Sequence, residues 1–186
     1  MSISCANVHA TIGEFQRNYI YKLYIEDVPA AVSTTFSNAT TFQAKVDIYN
    51  SKAVWPDRKT AAITVKWSGE KFDIPGVDES TRATDFEFFD DESQMAYDFL
   101  SACKDLTGNE INQAGVKGIS SKFNIGVAKV SVDKNTITGY RRLVGCRVYE
   151  LSCTEVQKDG DTLSKITANI HWDRNEDVPS KRGQTA

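Results

Sequence analysis

The chain has 186 residues, a formal net charge of −3, 40% hydrophobic and 25% charged residues, the profile of a single globular domain. That charge argues against holding nucleic acid by phosphate neutralisation, which needs a basic patch, and no stretch approaches the roughly 20 apolar residues of a membrane-crossing helix. Met1 to Ala10 have neither a basic start nor an apolar run, so no secretory signal is expected there. The four cysteines, Cys5, Cys103, Cys146 and Cys153, are then expected as free thiols.

Taken in chain order, residues 1–17 read as a polar arm, 18–173 as the folded domain and 174–186 as a polar, mobile tail. Apolar and polar residues alternate in several segments. Tyr19, Tyr21, Leu23 and Ile25 share one strand face, and Pro29 ends that strand. Phe42, Ala44, Val46 and Ile48 read as a second strand, with Thr41, Gln43, Lys45 and Asp47 on its polar face. After a break at Trp55-Pro56-Asp57, Ala61, Ile63, Val65 and Trp67 form a third, and Ile74-Pro75-Gly76 reads as a turn. Phe86 and Phe88 alternate with Asp85 and Glu87. A period of two over this many segments predicts half-buried, antiparallel strands.

One helix is predicted from about Glu92 to Leu106, about 22 Å long. Met95, Phe99, Cys103 and Leu106 fall on its apolar stripe, Asp91 is the expected N-cap with Gln94 three residues on, and Gly108 is the stop. A loop follows from Gly108 to Gly118. Lys122 to Val132 is strand-like, and Tyr140 to Val156 is a long strand expected to bend or bulge. Lys158-Asp159-Gly160-Asp161 is a hairpin turn, and Ile166, Ala168, Ile170 and Trp172 line the last strand. The residues alone thus predict a mainly β domain with one packed helix.

The sequence holds little that could do chemistry. His9 and His171 are the only histidines and form no ligand pair, and no cysteine pair has zinc spacing. Cys146 and Cys153 on one extended strand would lie about 23 Å apart, too far for a disulfide. Asp85, Glu87, Asp90, Asp91 and Glu92 read as a strand's polar face followed by a helix N-terminus, where negative charge is favoured. Gly115-Val116-Lys117-Gly118 lacks the flanking strand and helix of a phosphate loop. No catalytic residue, metal or cofactor is expected, and the chain is read as no enzyme.

Several phrases resemble the tail tube proteins of contractile-tailed bacteriophages, which are related to the tubes of type VI secretion systems and pyocins. Residues 18–25, Asn-Tyr-Ile-Tyr-Lys-Leu-Tyr-Ile, look like that family's opening strand. Residues 81–92, Thr-Arg-Ala-Thr-Asp-Phe-Glu-Phe-Phe-Asp-Asp-Glu, are similar to the strand leading into its helix, which continues from Gln94 to Leu100. Gly145 to Trp172 looks like its closing hairpin. The chain departs from the pattern in lacking an aromatic-Pro turn before that hairpin and in running past Trp172. The resemblance implies two packed antiparallel sheets, a β-sandwich or partial barrel, with one flanking helix. It also implies hexameric rings stacked helically into a conduit for genome ejection.

The partners implied are copies of the chain itself, a tail sheath protein, a tape-measure protein, and baseplate and terminator proteins. DNA would pass without sequence-specific contact, and no membrane is involved. The place would be the virion tail, assembled in the host cytoplasm. In that setting the strand polar-face residues Gln43, Asp47, Asp85 and Glu87 are candidates for the channel wall, where acidic groups repel phosphate; the alternative is that they face outer solvent. Cys5 in the arm and Val54, Trp55 and Arg58 in the loop are candidates for ring-to-ring contact, although Trp55 can equally fold back onto its own domain. Two rival readings remain. One is a tube initiator, terminator or secretion-type ring, and the other a monomeric β-barrel that binds a small apolar ligand.

Overall fold

A computed structural model describes residues 21–57, 59–68, 70–90, 93–108, 121–132, 135–153 and 164–185. The arm with Cys5 and His9, Arg58, the expected Asp91 cap, the glycine loop 115–118 and the 158–161 turn lie outside the described residues.

The elements in order are β1 (Tyr21–Glu26), α1 (Ala30–Thr35), α2 (Ala39–Tyr49), β2 (Asn50–Lys52), β3 (Thr60–Trp67), β4 (Glu70–Asp78), β5 (Ala83–Phe89), α3 (Met95–Thr107), β6 (Phe123–Val130), β7 (Ile137–Cys153), β8 (Lys165–His171) and β9 (Arg174–Asp177). A single 3-10 turn follows at Pro179–Lys181. The architecture is mainly β, as expected, with every described strand pair antiparallel. Seven strands form one sheet, six of them on the path β1-β6-β7-β8-β5-β2 and β9 off it on β7, and β3 and β4 form a separate two-stranded sheet.

The long strand β7 joins two halves of this path. Residues Ile137 to Cys146 pair with β6, Arg141 to Val144 also pair with β9, and Arg147 to Cys153 pair with β8. The bend expected in this segment falls at Gly145, whose φ of +74° suits glycine, with a register shift between Val148 and Glu150. One core serves both halves: Leu23, Ile25, Phe123, Ile125 and Leu143 from one meet Phe86, Phe88, Val148, Ile166 and Ile170 from the other. Among the described residues the sheet ends at β1 and β2 and does not close, so no ligand-holding barrel is formed.

Four sequence expectations need correction. Residues 39–49 form a helix, not a strand. Phe42 and Val46, four apart, are buried together with Ala39, whereas Ala44 and Ile48, on the supposed apolar face of the strand, are exposed. The single flanking helix is therefore joined by α1 and α2, and the rings of Phe36, which caps α1, and Phe42 of α2 meet Phe99 of α3 at 6.5 and 4.7 Å. The Ile74-Pro75-Gly76 turn lies within β4, where the register shift opposite Thr60 and Ala62 accommodates a proline that cannot donate to the ladder. Of the expected mobile tail, residues 174–185 are not free: β9 extends the β8 ladder along β7 as far as Asp177, and Gly183 and Gln184 bond Ile137.

Helix α3 closely matches its predicted span, but its N-cap is Gln94, in the left-handed region at φ +51°. The Asp90 carboxylate accepts from the Ala96 N–H at 3.3 Å and satisfies one first-turn donor. The Gly108 N–H closes the last turn on Lys104. Phe99 and Cys103 are buried, and Met95 and Leu106 pack half-buried beside them.

Candidate assembly surface

Four of the exposed large apolar side chains, Ile63, Val65, Phe72 and Ile74, gather on the β3–β4 hairpin. The ladder places Ile63 opposite Ile74 and Val65 opposite Phe72, so these four share one face. They remain 54%, 50%, 39% and 47% exposed, respectively. Every side chain described from Ala62 to Pro75 is exposed, so the hairpin blade stands clear of the core. The opposite face is polar: Thr64 donates to Asp73 at 2.7 Å, and Lys66 faces Lys71. An isolated two-stranded ribbon is marginal in water, and a row of four large apolar side chains marks an interaction surface.

The root of the hairpin is tied to the body by a polar network. Asp78 accepts from the Ser80 N–H at 3.0 Å, the Ser80 hydroxyl at 2.5 Å and Arg82 at 2.9 Å. The Ser80 bonds first, and Arg82 after them, hold its carboxyl down at about 2. Arg82 also donates to the Asp173 carbonyl at 2.8 Å, while the Asp57 carboxylate receives the Thr81 N–H and the Asp57 carbonyl receives the Asn175 amide. A cleft of about 250 Å³ lies here, lined by Lys59, Asp78, Arg82 and Arg174 among others. Its cations already face carboxylates, Lys59 on Glu79 and Arg174 on Glu176, so it is a structural joint.

The sheet edges are treated unequally. On β1, the Leu23 N–H donates to the Asp47 carboxylate at 3.0 Å, and the Ile25 carbonyl accepts from the Gln43 amide at 2.6 Å. Gln43 and Asp47 sit one turn apart on α2, so the helix blocks this edge with side chains. These two channel-wall candidates therefore do not stand on a strand's polar face. Asp85 and Glu87 do. Asp85 accepts from Asn169 at 2.7 Å, and Glu87 pairs with Lys52 at 2.8 Å and Lys165 at 3.9 Å. Across β8 from them, the side of Val148–Cys153 away from β8 pairs with no strand among the described residues, and Tyr149, Glu150, Ser152 and Cys153 of this segment are exposed.

Of the loop candidates, Val54 is half-buried and Trp55 folds back onto its own sheet. The indole lies against Gly139, with Lys129 4.5 Å and Arg141 5.1 Å from a ring centroid. Arg141 also donates to the Pro56 carbonyl, which fixes the loop. Sequence reasoning missed the hairpin's second strand. Phe72 and Ile74 alternating with Lys71 and Asp73 was the available signal, hidden by Pro75 and Gly76. Among the described residues no cluster of potential ligands could hold a metal. Burial pushes the Cys103 and Cys146 thiols far up, which leaves them inert.

No protein-family model matches the sequence, and no curated protein sequence matches it. Solved structures do share the fold. The sheath/tube terminator of the extracellular contractile injection system PVC, in its extended state, superposes with a TM-score of 0.57 at 12% identity, over 89% of this chain and 99% of that one. The tube-terminating cap of the anti-feeding prophage gives 0.57 at 13% identity, over 93% of each chain. A chain of the PVC sheath–tube complex gives 0.54 at 12% identity, over 95% of this chain and all of that one. The fold is thus one used by tube and terminator proteins of contractile injection systems, as the sequence resemblance implied.

Proposed function

We propose that the chain is a non-catalytic structural subunit of a contractile-tail-type tube, whose copies form hexameric rings through sheet edges and stack through the β3–β4 hairpin. The observation that carries this reading is the apolar row Ile63, Val65, Phe72 and Ile74, exposed on a ribbon whose described polar ties to the body lie at its root. Finishing the burial of four half-exposed side chains is worth about 1 kcal/mol each at the usual area coefficient, enough to matter when repeated around a ring. The side of Val148–Cys153 away from β8, which pairs with no strand among the described residues, is an edge that a neighbouring copy can complete. Asp85 and Glu87 on the same half-sheet, with Lys52 and Lys165 beside Glu87, leave this face near neutral, and a wall that does not attract phosphate suits a channel past which DNA slides. In a particle of this kind the sheath, tape-measure and baseplate proteins would be its partners, and a virion tail assembled in the host cytoplasm its place.

A second reading, the ring that ends a tube, is favoured by superpositions on the terminator and the cap as good as that on the sheath–tube complex. Negative-stain images of the purified protein decide between them. Hollow six-fold particles that grow into long tubes are expected of the main tube, and isolated rings of a terminator. A strictly monomeric protein at high concentration would sink both.

A further inference from the structure

We infer that the first half of β7 is a strand-accepting edge that the chain keeps filled with its own C-terminal segment, so that copies cannot join there. The edge runs from Ile137 to Val144, opposite the side paired with β6. Residues 174–185 occupy it in two ways. Arg174–Asp177 form a regular ladder with Arg141–Val144, and the segment then crosses as a strap. There the Val178 N–H bonds Tyr140 at 3.3 Å, the Gly183 N–H bonds the Ile137 carbonyl at 2.8 Å, and the Ile137 N–H bonds Gln184 at 3.0 Å. Under the strap lies a small apolar cluster, Ala128, Ile137 and Tyr140 flanked by Tyr24, which Val178 covers.

The segment is held almost wholly by backbone bonds and charge. It buries no large side chain: every residue from Pro179 to Thr185 is exposed, and Arg182 locks the strap by gripping Asp177 at 2.7 and 2.9 Å. A segment with this little apolar burial opens at far lower cost than the core. Beneath it is what an unprotected edge offers to another chain, a run of unpaired backbone beside apolar side chains. Together with Gln43 and Asp47 on β1, this closes both edges of one half of the sheet. In the other half, the side of Val148–Cys153 away from β8 meets no strand among the described residues. The strap thereby selects which edge copies use, and a second copy of this chain is the partner it turns away.

The test compares the full chain with one ending at Asp173, which keeps the Arg82 and Val144 bonds of the last retained residue. Size distribution is followed against concentration, with and without a synthetic peptide of residues 174–186. The shortened chain is expected to self-associate at least about tenfold more tightly than the full chain, and the peptide to reverse the gain. A shortened chain with a native circular dichroism spectrum and the size distribution of the full chain would overturn the inference, as would association that the peptide leaves untouched. Because the shortened chain can fail to fold, full-length Val178→Asp/Arg182→Ala is measured beside it by amide hydrogen exchange. The Ile137 amide should lose protection while β6 keeps its own; unchanged Ile137 protection would also overturn it. The baseline is the full chain in whatever state it adopts, so a monomeric full chain defeats the ring reading without deciding this one.

Discussion

Gly126 on β6 shows how closely single residues are fitted. A Cβ there would overlap the Tyr140 hydroxyl, which reaches across to donate to Glu26 at 2.8 Å. Gly126→Ala must displace a buried ring and its bond, so it should lower stability by about 2 kcal/mol, the range of overpacking. Denaturant unfolding reads this, and Tyr140→Phe in the same chain should recover part of the loss. Asp78 is the residue-scale prediction for pH. Its folded-state pKa of about 2 lies below the ordinary 3.8, so the carboxylate adds stability that is fully present above that ordinary value and is lost as pH falls through about 2. A carboxyl chemical-shift titration should find the midpoint near 2, and Ser80→Ala should move it up, because the Ser80 bonds are the larger cause. A midpoint unmoved in Ser80→Ala would remove the Ser80 hydroxyl from the joint.

At the scale of elements, α2 and β9 are where pattern reading failed, for opposite reasons. In α2, Phe42, Ala44, Val46 and Ile48 satisfy a period of two, but the helix buries only Ala39, Phe42 and Val46 and leaves Ile48 76% exposed. A narrow three-residue stripe and an exposed isoleucine imitate a strand. In β9, Arg-Asn-Glu-Asp carries no apolar signal, because its pairing is decided by the backbone of β7. Strands β5 and β8 were legible because Phe86, Phe88, Ile166, Ala168 and Ile170 are buried in strict alternation. The same logic limited the site. Asp85 and Glu87 were placed on a strand's polar face where alternation held, whereas Gln43 and Asp47 were read on a strand that is a helix. Their edge-capping role yields a prediction: Asp47→Ala leaves the Leu23 N–H without its acceptor at 3.0 Å. The cost should be about 1.5 kcal/mol, the low end for a hydrogen bond to a charged group, with faster exchange of the Leu23 amide. Leu23 exchange that does not change would mean the edge is protected by something other than α2.

At the scale of the whole molecule, the question is which force joins copies. The hairpin offers apolar Ile63, Val65, Phe72 and Ile74 on one face and Lys66, Lys71 and the Thr64–Asp73 pair on the other. Contacts through the polar face would be ionic and would weaken as salt shortens the screening length from about 8 Å toward 3 Å at 1 M. Contacts through the apolar face are not screened, and excluded salts such as sulfate strengthen them. Association of the purified protein should therefore persist in 1 M sodium chloride and increase in sulfate. The triple substitution Ile63→Ser/Phe72→Ser/Ile74→Ser should keep the thermal midpoint within a few degrees, since these side chains are already about half exposed, yet abolish stacking. Sedimentation in the two salts, run on both proteins, separates the faces. Loss of assembly in sodium chloride with the triple variant unaffected would assign the contact to Lys66 and Lys71 instead.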